Sequence, residues 1–107
     1  MPDTTQDELV AVAEVGSVQD VLQAIADPVR LEMVRRLAAS ASLMQPCNAL
    51  YDDIGKSTAS HHFKVLRESG LTERLIVDGQ AHQRLRLDEV GERYPGLLDT
   101  VIKALDD

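Results

Sequence analysis

The sequence predicts a mainly α-helical domain with a small β-hairpin, and two adjoining stretches carry that expectation. Between Ser57 and Leu71, the residues Ala59, Phe63 and Leu66 share one helical face with His62 at its margin, while Ser57, Ser60, His61, Lys64 and Glu68 fill the opposite arc. Directly after it, Leu71–Val77 and Gln80–Leu87 flank Asp78-Gly79, a dipeptide favoured in tight type I′ turns. A helix with a polar outer arc running into a hairpin with a basic outer face is the winged helix-turn-helix arrangement. About five helices and a two-stranded wing are therefore expected, with the helix in a major groove and the wing on flanking backbone or minor groove.

In chain order, residues 1–6 are polar and expected to fray, and Asp7 to Val15 reads as a short helix interrupted by Gly16. Ser17-Val18-Gln19-Asp20 resembles a capping box, and Val18, Val21, Leu22 and Ile25 follow at helical spacing. Asp27-Pro28 restarts the chain as N-cap and first helical residue, giving a helix to about Ala39. Ser40 to Pro46 reads as a loop and Cys47 to Asp53 as the supporting helix. Ser57 is the expected N-cap of the recognition helix, and Gly70 its left-handed stop. Asp88 to Arg93 makes a turn of helix, and Gly96 to Leu105 closes the chain beyond Pro95. The result is one domain over 1–107: dimerisation helices at 7–26 and 96–105, the helix-turn-helix at 47–70 and the wing at 71–87.

The second wing strand alternates Ala81, Gln83, Leu85 and Leu87 on one face with Gln80, His82, Arg84 and Arg86 on the other. The expected DNA contacts are therefore Lys56, Ser57, Thr58, Ser60, His61 and Lys64 on the helix, with Arg84 and Arg86 on the wing. His82 beside those arginines reads either as a wing contact or as part of a solvated strand face.

A net charge of −7 is unusual for a binder of phosphates, but its distribution is uneven. Residues 54–87 hold six Lys and Arg against three Asp and Glu, a net +3 that leaves −10 on the remainder. Acidic flanks disfavour DNA arriving in the wrong orientation. Because 44% of residues are apolar and only 3% aromatic, the core is expected to be aliphatic side chains packed between helices. No apolar run approaches the roughly 20 residues that span a bilayer, and a cytoplasmic location is expected. Cys47 is the single cysteine, which rules out an intrachain disulfide.

The segments Ala24-Ile25-Ala26-Asp27-Pro28-Val29-Arg30-Leu31-Glu32-Met33-Val34-Arg35-Arg36-Leu37 and Ser57–Leu71, in this order and followed by a wing, resemble the two signature segments of the ArsR/SmtB transcriptional repressors. The resemblance covers roughly residues 18–105. It implies a small homodimer that binds operator DNA and releases it when an effector is sensed, often a divalent transition metal such as nickel or zinc. It also implies pairing through the terminal helices. The sequence departs from the family's metal sites: Met44-Gln45-Pro46-Cys47 offers one thiol where a Cys-x-Cys pair is usual, and the closing region has Asp88, Glu89, Glu92 and Asp99 but no His. Weak metal candidates are Cys47, His62, Asp88, Glu92 and Asp99, with no convincing ligand spacing among them. Cys47 reads first as a small buried apolar residue, with a redox-sensitive thiol or one metal ligand as the alternatives, and His62 as a partly buried structural residue.

Leu97, Leu98, Val101, Ile102 and Leu105 form an apolar stripe that needs cover. It packs either on its own domain or, with the N-terminal helix, across a two-fold dimer suited to palindromic DNA. The function expected is a sequence-specific, DNA-binding regulator that represses transcription. The alternatives are a winged-helix module for protein contacts and a DNA-binding subunit whose sensing comes from a companion protein. Enzymatic function is not expected, since the sequence has no phosphate-cradling Gly-rich loop, no HExxH and no Ser/His/Asp or Cys/His set beyond residues assigned to DNA.

Overall fold

The computed structural model describes residues 12–106. Its elements are α1 (Val18–Ile25), α2 (Pro28–Ala39), β1 (Met44–Pro46), a 3₁₀ turn (Cys47–Ala49), α3 (Lys56–Glu68), β2 (Thr72–Val77), β3 (Gln80–Leu85), α4 (Leu87–Arg93) and α5 (Leu97–Leu105). Among the described residues this is a winged helix-turn-helix with five α-helices and an antiparallel sheet of three strands in the order β1-β3-β2.

The first two helices begin where local chemistry starts them. Ser17 Oγ accepts from the Asp20 amide at 3.1 Å to cap α1. Asp27 Oδ2 accepts from the Val29 and Arg30 amides at 2.8 and 3.0 Å, and Pro28 opens α2 with the φ a first helical turn requires. Both helices turn apolar stripes inward: Val21, Ala24 and Ile25 from α1, and Met33, Val34 and Leu37 from α2. Phe63 and Leu66 of α3, Leu71, Leu85, Val90 of α4 and Leu98 of α5 complete the same core.

Four local expectations are corrected. The stretch 44–46 is not loop but a strand, pairing Met44 with Arg84 and Pro46 with His82. Three residues are too few for alternation to show in a sequence. The supporting helix over 47–53 is reduced to one 3₁₀ turn, since Pro46 precedes it and Asp53 turns the chain at φ 57°. Helix α3 begins one residue after Gly55, which caps it with no side-chain bond, so Ser57 stands inside the first turn rather than at the N-cap. The helix expected over 7–15 falls partly outside the described residues; within them, Val12–Val15 has no regular structure. Side chains hold this segment instead: Arg86 Nη1 donates to the Ala13 carbonyl (2.6 Å), Arg93 Nη1 to Val15 (3.0 Å) and Tyr94 Oη to Gly16 (2.6 Å).

The turn from α3 into the wing is tightly specified. Gly70 takes φ 85°, its amide bonding to the Arg67 carbonyl and the Leu71 amide to Leu66, a Schellman end that leaves Leu66 and Leu71 both buried. Asp78 and Gly79, at φ 52° and 78°, make the two-residue turn that sets Val77 opposite Gln80. The wing is thereby fixed in register beside the recognition helix.

Candidate nucleic-acid interface

The inner face of α3 is sealed, with Ala59, Phe63 and Leu66 no more than 6% exposed. Its outer residues Lys56, Ser57, Thr58, Ser60, His61, Lys64 and Glu68 are all exposed. At about 100° per residue, Ser57, His61, Lys64 and Glu68 form the outermost stripe, and Lys56, Ser60 and Arg67 form the flank turned toward the sheet.

His62 belongs to the fold. Its Nδ1 lies 3.1 Å from Arg30 Nη1, and because a guanidinium can only donate, this nitrogen accepts and the ring proton sits on Nε2. The same nitrogen is 3.9 Å from Asp27 Oδ2, while Arg30 Nε donates to the Ala24 carbonyl at 2.6 Å. The helix is thus keyed to the start of α2, and His62 spends its free nitrogen on that contact.

The basic residues divide into two groups. Arg35 and Arg36 pair with Glu32, and Arg36 also with Asp52. Arg84, expected on the wing's DNA-facing side, is held by Glu73 on β2 and Glu89 on α4. Arg86 lies beyond the end of β3, is 8% exposed and donates to the backbone carbonyls of Ala13 and Gly70. Those two arginines therefore face protein groups, and Arg86 is too deeply placed to reach a phosphate. Lys56, Lys64, Arg67 and Arg74, by contrast, have no acidic side chain within 4 Å among the described residues. Four of the cations without a carboxylate partner among the described residues thus lie on α3 and β2, with Arg30, Arg93 and Lys103 on other helices. Arg67 and Arg74 are not among the expected contacts; for Arg84 the sequence held a signal, since the two-residue turn sets Glu73 across from it and makes the ion pair foreseeable.

The metal candidates do not converge. Among the described residues no group of three or more His, Cys, Asp or Glu side chains comes together. Asp88, Glu92 and Asp99 are exposed on α4 and α5, and His62 is engaged with Arg30. Cys47 is half-buried, and burial pushes its thiol pKa up, against the ionised form that metal binding or oxidation needs. Gln83 Nε2 donates to its sulfur at 3.8 Å, while Thr72 Oγ1 donates to Gln83 Oε1 at 3.0 Å, so the buried Gln83 amide is satisfied at both ends. Within the expected dimer stripe, Leu98 is only 2% exposed and belongs to its own core, with Leu97, Val101 and Ile102 packed around it. Leu105 is half-buried.

An exposed polar recognition helix flanked by a hairpin and free cations defines a winged helix-turn-helix DNA-binding protein. A family of helix-turn-helix domains matches residues 25–74. The chain is 35% identical over 83 residues to the "Uncharacterized HTH-type transcriptional regulator YceK" of Bacillus subtilis (strain 168), covering 76% of this chain and 82% of that protein. Among solved structures, the transcriptional repressor BigR from Xylella fastidiosa shares 28% identity at a TM-score of 0.58, covering 78% of this chain and 84% of that one. An ArsR family transcriptional regulator, 18% identical, shares the fold at a TM-score of 0.62 over 78% and 90% of the two chains. The chain belongs to the helix-turn-helix transcriptional regulators, a class of DNA-binding proteins rather than enzymes, and shares its fold with an ArsR family regulator. Among the described residues no helix is long and apolar enough to cross a membrane.

Proposed function

We propose that this regulator is a homodimeric repressor that reads a palindromic operator with the outer stripe of α3. The carrying observation is that Ser57, Ser60, His61 and Lys64 are exposed on a helix whose opposite face is sealed into the core. Hydroxyl, imidazole and ammonium groups there reach base edges, while Lys56 and Thr58 at the helix start, where amides point outward, meet phosphate. Arg74 takes the place on the wing that the ion-paired Arg84 and buried Arg86 do not fill.

Dimerisation is supported by Val18 and Leu22, exposed at 46% and 45% on α1, together with the half-buried Leu97, Val101, Ile102 and Leu105 of α5. For release from DNA, an effector other than a metal held tightly within one subunit is the reading that a lone cysteine and a closing helix without histidine support. Selection of duplexes from a random pool by the full chain, followed by gel-shift titration, tests the reading. A two-fold symmetric consensus bound by two chains is expected. Failure to enrich any sequence would overturn it and favour the protein-contact module.

A further inference from the structure

Between α3 and the sheet lies a cleft of about 440 Å³, within the range of small-ligand sites. Its walls have two chemical characters. Tyr51 and Phe63, packed edge to face with centroids 6.2 Å apart, and Ala81 give it an apolar lining. Lys56 and Arg67 from α3 and Arg74 from β2 ring it with three positive charges that have no acidic partner within 4 Å among the described residues. Both guanidiniums line the same recess with Cys47, Arg67 half-buried and Arg74 exposed. The domain elsewhere engages most of its arginines with carboxylates or backbone carbonyls. In a chain of net charge −7, leaving three cations together around an aromatic-lined recess calls for an anion from outside.

We propose that this cleft binds a small organic anion with a flat apolar body, an aromatic carboxylate or an aromatic phosphate ester. The anionic head lies between Arg67 and Arg74, where guanidinium forks suit carboxylate or phosphate oxygens, and the ring lies against Tyr51 and Phe63. The recess sits on the flank of α3, roughly a quarter-turn from the stripe of Ser57, His61 and Lys64. Its occupant therefore leaves Ser57, His61 and Lys64 uncovered but lies beside Ser60 and removes the charge of Arg67, Arg74 and Lys56 from the phosphate backbone. Binding of the anion and of DNA are then antagonistic, each weakening the other by the same factor. Only this consequence rests on the DNA-binding reading; the site stands without it.

Calorimetric titration of the full chain, free of DNA, with benzoate, phenyl phosphate, inorganic phosphate and phenol tests the site. Saturable binding of one benzoate or one phenyl phosphate per chain is expected, whichever binds more tightly showing the head group the site prefers. Phosphate or phenol alone should bind at least tenfold more weakly. A chain carrying Arg67→Gln and Arg74→Gln, with an unchanged circular dichroism spectrum, should lose at least tenfold in affinity, while Lys103→Gln on α5 should not. No saturation by either aromatic anion, equal binding of inorganic phosphate, or undiminished binding in the double variant would each overturn the site. Addition of the bound anion should then weaken affinity for a selected duplex, and an unchanged duplex affinity would overturn the antagonism.

Discussion

The Arg86 guanidinium donates to the carbonyl oxygen of Gly70 at 2.9 Å, and the same nitrogen donates to Ala13 at 2.6 Å. One side chain thus joins the left-handed end of the recognition helix to the segment crossing beneath it. Charged hydrogen bonds of this kind contribute about 1.5–3 kcal/mol each, and a buried carbonyl left without its donor costs further. Arg86→Ala should lower unfolding stability by about 2–3 kcal/mol, read as a lower urea midpoint. Arg84→Ala removes only partly exposed ion pairs and should cost less than about 1 kcal/mol. With both variants kept folded in low urea, neither should change the salt dependence of DNA binding.

Gly70 also permits a close approach. A Cβ at this position would lie 2.5 Å from Val15 Cα and 2.6 Å from the Glu14 carbonyl oxygen, on a backbone at φ 85°. Gly70→Ala therefore combines left-handed strain with a backbone overlap that no rotamer relieves. A loss of at least about 2 kcal/mol is expected from denaturation. Gly79, with the same sign of φ but open space around it, should lose less on the same substitution.

Acid should loosen the α2 anchorage. Hydrogen bonds from Arg35 and then Arg36 lower the Glu32 carboxyl from its ordinary 4.5 to about 2. A folded-state pKa below the unfolded one means that the contribution is complete above about pH 4.5 and is lost as the pH falls toward 2. The carboxylate is 39% exposed, so water screens the pairs and the effect is modest. Glu32→Gln should flatten stability across that window and leave it unchanged in shape above pH 6, measured by urea titrations at each pH.

A core position and a surface position on the two helices proposed for assembly should respond differently to charge. Leu98→Glu buries a carboxylate in the domain's own core and should cost about 3 kcal/mol or more in stability. Leu22→Glu, at a position 45% exposed, should leave the fold intact and convert dimers to monomers. Light scattering alongside denaturation separates the outcomes, and a dimer unaffected by Leu22→Glu would move the interface away from α1.

Much of this domain was legible because local signals agreed. Asp27-Pro28, Gly70 and Asp78-Gly79 each demand a particular backbone, and helices or turns occur where those residues ask for them. The apolar spacing of Ala59, Phe63 and Leu66 likewise left one outer face for α3. What escaped reading depended on partners distant in sequence. Strand β1 exists through pairing with residues some forty positions later, and the segment 12–17 is held by side chains of Arg86, Arg93 and Tyr94 rather than by its own periodicity. Alternation placed Arg84 and Arg86 on a solvent face, but strand β3 stops at Leu85 and the facing carboxylate of Glu73 claims Arg84. The free cations Arg67 and Arg74 emerge only once the paired ones have been subtracted.

Reading of DNA by the exposed side of α3 should show itself in how duplex affinity depends on salt. For a selected duplex, Lys64→Ala should weaken binding to specific and scrambled sequences alike and make the slope of log affinity against log salt shallower by about one. Ser60→Ala should keep the slope and alter the preferred bases. If both variants bind with the affinity, slope and base preference of the unaltered chain, α3 does not lie in the groove.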